Sequence, residues 1–141
     1  MELNDILKFV NENPICALAS AEGDQPHVRM LQMFSADKTG VYFSMDTNKD
    51  VYKQLKADPK TELCFLDPKS KAGDMVRITG KAEFIQDIEM KRKVLEARPF
   101  LKQMGITEQS PTLVILKVAK CQAHHWSRAT MMEPKKYVKF G

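Results

Sequence analysis

Two short polar turns in the first third of the chain constrain the fold most. Glu22–Gln25 and Asp37–Gly40 each contain a glycine and separate segments in which apolar and polar residues alternate. Glycine adopts the positive φ angles of tight turns without steric cost, and a period of two is typical of strands with one buried face. The pattern therefore predicts an antiparallel meander of β-strands in this part of the chain.

The same criteria applied to the whole chain predict six strands. They are, in order, Ile15–Ala21, Pro26–Ala36, Val41–Met45, Thr61–Asp67, Met75–Ile85 and Thr112–His125. Alternation in the second strand places Arg29 and Leu31 on one face and Met30 on the other. Gly80 indicates a β-bulge or a point of close approach in the fifth strand, and a final short strand is expected at Lys136–Phe140.

Three short helices are expected between these strands. Their start and stop signals are, in order, Asn4 and Asn13-Pro14, Asp46–Asn48 and Asp58-Pro59, and Asp87 and Pro99. Antiparallel strands of uneven length with short helices predict a mainly β protein folded as one closed or nearly closed barrel, because closure leaves no exposed strand edge. The length predicts a single domain over residues 1–141.

Composition and charge exclude several classes of protein. With 43% hydrophobic and 28% charged residues, the chain is expected to be globular, and a net charge of +4 is too small to predict nucleic-acid binding. No apolar run approaches the roughly 20 residues of a membrane helix, and no secretory signal is evident, so we expect a cytoplasmic protein without a membrane partner. The cysteines Cys16, Cys64 and Cys121 lack metal or redox spacing and are expected in the core.

One stretch combines the residue types that bind a phosphate. Arg29 lies in the middle of the second strand, Ser44 ends the third strand, and Lys49 stands at the start of the second helix. A helix amino terminus with adjacent cations binds anions, and a guanidinium suits two phosphate oxygens. Met30, Leu31 and Phe43 are predicted to provide an apolar β-surface between these groups, on which a flat ring can rest.

The order of these short motifs resembles that of a known family. P-x-x-R-x-L begins at Pro26, the next strand ends in Phe43-Ser44, Asn48-Lys49 precedes a helix, and Arg77 opens the run R-I-T-G-K-A-E. This pattern resembles the pyridoxamine 5'-phosphate oxidase-like family of FMN-binding split barrels over nearly the whole chain. The resemblance implies a six-stranded antiparallel split β-barrel with Greek-key connections. It also implies a homodimer with FMN at each end of the subunit interface.

The resemblance also implies which residues bind the cofactor. These are Arg29 as an FMN contact, Met30, Leu31 and Gln32 beside the flavin ring, Phe43 and Ser44 beside the ring and ribityl chain, Asn48 and Lys49 near the phosphate, and Trp126 reaching the flavin from the second subunit. Asn48 stands where the family has a cation, and the family's glutamine is replaced by Met75 or a neighbour. The carboxy-terminal substrate motif of the true oxidase is not evident, so pyridoxine phosphate is not supported as substrate.

No catalytic or metal-binding motif is present, so any chemistry is expected to come from a cofactor. His124 and His125 are adjacent on a strand and point to opposite faces, so they cannot both ligate one metal ion. One of the two is a candidate to face the flavin pocket and protonate a substrate. We expect neither catalytic side chains nor a metal site.

The sequence therefore predicts an FMN-dependent oxidoreductase of the flavin-reductase type, which passes a hydride from NAD(P)H to the flavin and electrons to a small-molecule acceptor. Three alternatives remain. The first alternative is a barrel that binds a deazaflavin or haem instead of FMN. The second is a flavin carrier or sensor without catalysis. The third alternative, a barrel that binds single-stranded nucleic acid, has only Tyr42, Phe43 and Trp126 as stacking candidates and ranks last.

Overall fold

A computed structural model describes all 141 residues of the chain, which form one eight-stranded antiparallel sheet and four short helices. The strands are β1 Ile15–Glu22, β2 Gln25–Gln32, β3 Ser35–Asp37, β4 Gly40–Asp46, β5 Lys60–Leu66, β6 Met75–Ile85, β7 Leu113–Trp126 and β8 Val138–Phe140. The helices are α1 Leu3–Glu12, α2 Asp50–Ala57, α3 Ile88–Ala97 and α4 Pro99–Gln103. The prediction of a mainly β, antiparallel fold is confirmed.

The order of the strands shows how the sheet closes. Hydrogen bonding runs β2-β1-β5-β6-β7-β4-β3, and β8 pairs with β7. The two end strands, β2 and β3, are joined by only Met33 and Phe34. The Met33 amide donates to the carbonyl of Pro14 beside β1, and the Phe34 amide donates to the carbonyl of Tyr42 in β4, both at 2.8 Å. The sheet must therefore curl until its two ends meet, which makes it a barrel.

The count of six strands is wrong because the predicted strand Pro26–Ala36 is two strands. β2 pairs only with β1, whereas β3 pairs with β4, so the expected meander breaks after Gln32. The final strand forms as β8 but is shorter than the predicted Lys136–Phe140.

Two helix boundaries also differ from the prediction. Helix α1 begins two residues earlier than expected and is capped by Glu2 rather than Asn4, since the Glu2 amide donates to the Asp5 carboxylate at 3.0 Å. Pro99 does not simply end the third helix but occupies the first turn of α4, where a missing amide proton costs nothing. The predicted cap of α3 is confirmed, because the Asp87 carboxylate accepts from the Met90 amide.

A cluster of 23 buried residues fills the barrel, with Phe65, Leu18, Ile78 and Leu116 among its fully buried members. Cys16 and Cys121 lie in this core as expected, and burial raises the pKa of each thiol to about 12. Cys64 departs from the prediction because it is only half-buried. None of the four helices has the length and apolar character needed to span a bilayer.

Gly80 lies at a register shift in the β6–β7 pairing and at a point where β7 approaches β6 closely, as predicted. The β6–β7 pairing shifts between Thr79 and Lys81. A Cβ atom at Gly80 would lie 2.5 Å from a methyl carbon of Val118 and 2.8 Å from the carbonyl oxygen of Ala119. Real Cβ atoms do not approach so closely, so the longest strand pair of the barrel depends on this missing side chain.

We expect Gly80→Ala to lower the free energy of unfolding by about 1–3 kcal/mol, because the added methyl group must displace β7. Chemical denaturation of this variant and of Lys81→Ala, an exposed neighbour, measures the effect. Equal stability of the two variants would contradict the close packing.

Candidate functional site

The largest cavity near the predicted site residues lies beside β2, the end of β4 and the start of α2. Its volume is about 670 Å³. The lining residues are Glu22, His27, Val28, Arg29, Met30, Leu31, Ser44, Met45, Asp46, Lys49, Asp50, Val51 and Gln54. Strand β2 pairs only with β1, so its other edge has no strand partner. The structure thus brings together Arg29, Ser44 and Lys49, as the sequence predicted.

Arg29 is fixed by the elements around it. One terminal nitrogen, Nη1, donates to Ser20 Oγ at 2.8 Å and to the Leu18 carbonyl at 3.3 Å. The other, Nη2, donates to Gln54 Oε1 at 2.6 Å, and the same oxygen accepts from Ser20 Oγ at 2.5 Å. Ser20 and Gln54 are buried. The guanidinium therefore joins β2 to β1 and α2 while it lines the cavity.

The charges of the cavity are mixed. Burial lowers the pKa of Arg29, and the nearby Asp50 carboxylate opposes this effect. Lys49 is the N-cap residue of α2 and forms no ion pair, and no side chain caps the helix, so amides of its first turn remain free for an anion. The carboxylates of Glu22, Asp46 and Asp50 also line the cavity. No sequence motif had indicated these three acids as site residues.

Arg98 is a site residue that the sequence analysis missed. It follows α3 and donates to Ser44 Oγ at 2.8 Å and to the Gln32 carbonyl at 3.2 Å. It has no carboxylate within 4.0 Å, and burial lowers its pKa. With Phe43 and Phe100 it lines a second cavity of about 420 Å³, which shares Leu31 and Ser44 with the first. Only its place before a proline distinguishes it in the sequence.

The predicted apolar surface for a flat ring does not form. Met30 points away from the barrel with 63% of its surface exposed, while Leu31 points inward and is half-buried. Phe43 is only 1% exposed because its ring belongs to the core. Leu31 and Phe43 line the 420 Å³ cavity together, but Met30 lies on the opposite face of β2, so the three side chains do not form one surface. The cofactor contacts assigned to them, and to Gln32 and Asn48, stay predictions.

Trp126 lies apart from Arg29 within the chain. It lines a different cavity of about 220 Å³, together with His124 and His125. His125 Nε2 is 2.6 Å from an Asp74 carboxylate oxygen, and His124 is buried with its ring edge-on to Tyr137. Neither histidine lines the 670 Å³ cavity of its own chain. Burial lowers the pKa of His124.

The same loop that carries Asp74 also supports Trp126. A Cβ atom at Gly73 would lie 3.4 Å from the indole ring, and the Arg128 amide donates to the Ala72 carbonyl at 2.8 Å. Hydrogen bonds to Ser70 and to His125 lower the pKa of Asp74 and hold this loop beside the tryptophan. Trp126 is thus half-buried at a fixed place at the end of β7.

Comparison with known proteins assigns the chain to a family. The sequence model of the family described as pyridoxamine 5'-phosphate oxidase matches residues 4–127. The chain belongs to this family. A comparison with curated proteins gives no match.

Solved structures with this fold have different biological descriptions. A NimC/NimA family protein of Clostridium acetobutylicum is similar with a TM-score of 0.79 and 27% identity, over 98% of this chain and 93% of that one. General stress protein 26 of Bacillus anthracis is similar with a TM-score of 0.76 and 15% identity, over 99% of this chain and 100% of that one. HutZ, a haem storage protein of Vibrio cholerae, is similar with a TM-score of 0.66 and 13% identity, over 84% of this chain and 90% of that one. The last two show the fold alone.

We expect Gln54→Met to lower the free energy of unfolding by about 1–3 kcal/mol, because Arg29 and Ser20 both lose their shared acceptor inside the protein. Denaturant unfolding measures the change, with Gln109→Met on an exposed loop as the matched control. An unchanged midpoint for Gln54→Met would show that the network does not hold Arg29.

Proposed function

We propose that the protein is an FMN-binding oxidoreductase of the flavin-reductase type, with NAD(P)H as electron donor and a small molecule as acceptor. One observation supports this most strongly. A half-buried guanidinium, a free ammonium group and an uncapped helix amino terminus line a single cavity of about 670 Å³. The family match makes a flavin phosphate the natural ligand of these groups.

The residues present fit a flavin phosphate at one end of the cavity. Lys49 and the first amides of α2 would bind the phosphate, and Arg29 would supply its two remaining N–H donors. Ser44 would lie beside the ribityl chain, and the backbone of Leu31 and Gln32 would border the ring. When bound, the flavin supplies the hydride transfer itself.

The side chains of this protein would position the ligand and neutralise its negative charge. Arg98 holds Ser44 and the Gln32 carbonyl where the two cavities meet. Its positive charge lacks a carboxylate partner, so it favours negative charge at this point of the site. Hydride transfer requires no protein nucleophile.

We also propose a homodimer, because the barrel exposes large apolar side chains on β1, β2 and β5. Ile15, Val28, Met30 and Leu66 are each at least 50% exposed. The register pairs Met30 with Ala17, Ala17 with Cys64, Cys64 with Arg77 and Arg77 with His124, so alternate residues of β2, β1, β5, β6 and β7 form one outward face.

The opposite borders of this face carry the two halves of the predicted site. The cavity with Arg29 opens at the β2 border, and Trp126 stands on the β7 border. A two-fold axis along the strands would place each β2 border against the β7 border of the other copy. Trp126 of the partner subunit would then reach the cavity, as the family resemblance implies.

Lys49→Ala is expected to weaken FMN binding about tenfold or more, because a charge-assisted contact to the phosphate is lost. Lys53→Ala removes an identical charge from an exposed position on the same helix and is expected to change affinity less than about twofold. Equilibrium titration with FMN, followed by flavin fluorescence, measures both. Equal losses in the two variants would contradict a specific phosphate contact.

The shared site is tested by mixing Lys49→Ala with Trp126→Ala. Each variant alone is expected to bind FMN poorly. Random exchange of subunits should restore about a quarter of the sites, since each heterodimer contains one site with both residues intact. No recovery after mixing, with exchange verified by size-tagged subunits, would place both residues in a site within one chain or exclude the dimer.

Haem is the second candidate ligand, because HutZ shares the fold. The site favours it less, since His125 Nε2 already faces Asp74 and His124 is buried against Tyr137. The visible spectrum of the purified protein separates a flavin from a deazaflavin or a Soret band of haem. Bleaching of bound flavin by NADH or NADPH then separates an enzyme from a flavin carrier.

A further inference from the structure

His27 is a cavity residue that neither the motifs nor the family resemblance singled out. It lies on β2 two residues before Arg29 and therefore on the same face. Its Nε2 atom is inaccessible to solvent and has no hydrogen-bond partner. The nearest opposite charge is Glu22, whose carboxylate oxygen is 3.5 Å away across the β1–β2 hairpin. A buried ring nitrogen without a partner is costly unless a ligand or a proton satisfies it.

The charge of the cavity gives this nitrogen a role. The permanently charged lining groups are the cations Arg29 and Lys49 and the carboxylates of Glu22, Asp46 and Asp50. With a neutral histidine, these groups sum to a net charge of −1, which opposes an anion. A protonated histidine makes the lining neutral overall and places a positive charge beside the guanidinium. Histidine is the side chain whose charge ordinarily changes between about pH 5 and 8.

We propose that His27 is a further residue of the phosphate site and that binding of a phosphate monoester is coupled to protonation of His27. This inference rests on the proposed flavin site and adds a residue and a proton to it. Glu22 from β1 lies 3.5 Å from His27, and the other charged residues that line the same cavity are Arg29 from β2, Asp46 from β4, and Lys49 and Asp50 at the start of α2. None of these residue types ordinarily changes charge between pH 6 and 8. Among the residue types that line the cavity, histidine is the one that ordinarily does.

The sign of the coupling follows from linkage. A ligand that binds the protonated form better must bind more tightly as pH falls, and by the same factor it must favour the proton. The phosphate monoester loses part of its negative charge over the same range, because its second pKa is about 6. The effect of His27 is therefore isolated by comparing two proteins with the same ligand at each pH.

The experiment is an equilibrium FMN titration of the wild type and His27→Gln at pH 6 and pH 8. Glutamine keeps an N–H donor but cannot be protonated. We expect His27→Gln to bind FMN about fivefold more weakly at pH 6, at the lower end of the usual coupling between sites, and about equally at pH 8. Riboflavin, which lacks the phosphate, should show no difference at either pH.

The rival explanation is that His27 and Glu22 form only an exposed ion pair of the hairpin. In that case His27→Gln changes the thermal midpoint at pH 6 but leaves the ratio of FMN affinities the same at both pH values, which overturns the proposal. An equal pH-dependent difference with riboflavin also overturns it.

Failure of the proposed function has a separate signature. If the wild type binds no FMN at either pH, the flavin site is wrong, and inorganic phosphate is then titrated on the same two proteins by phosphorus NMR. A weaker response of His27→Gln at pH 6 alone supports the proton-coupled anion site. Identical responses of the two proteins overturn it.

Discussion

The two-residue connection between β2 and β3 is the constraint on which the rest of the structure depends. These strands are the two ends of the hydrogen-bonded sheet, yet only Met33 and Phe34 join them. Because a trans peptide chain advances at most about 3.6 Å per residue, the ends of the sheet must meet. Closure places β2 beside β4 and α2. The cavity with Arg29, Ser44 and Lys49 exists only because these elements, distant along the sheet, are brought together in this way.

Within the cavity, Arg29 has a structural role and, in the function we propose, a binding role as well. Its contacts with Ser20 and Gln54 fix the guanidinium without neutralising it, since both partners are uncharged. A preorganised cation costs little entropy when a ligand binds. Arg98 is likewise held by uncharged partners, the Ser44 hydroxyl and the Gln32 carbonyl. Positive charge is thus held in place by neutral groups and remains free to interact with an anion.

Local signals allowed much of this structure to be predicted from sequence. The hairpins, the Asp87 cap and the Gly80 irregularity depend on residues close together in the chain or on one strand. The grouping of Arg29 with Lys49 was predicted from the order of the motifs, although barrel closure is what brings these residues together. The break after Gln32 has no such signal, because apolar residues continue through it and its cause is pairing with distant strands. Contacts set by tertiary packing, such as the burial of the Phe43 ring and the reach of Arg98 to β4, were likewise missed.

The account's central claim is that the cavity binds a flavin through its phosphate. The most direct test is an equilibrium titration of the wild-type protein with FMN and with riboflavin at neutral pH. Two charge-assisted contacts predict that FMN binds about a hundredfold more tightly or better. Similar affinities for the two flavins, or no binding of either, would contradict the account.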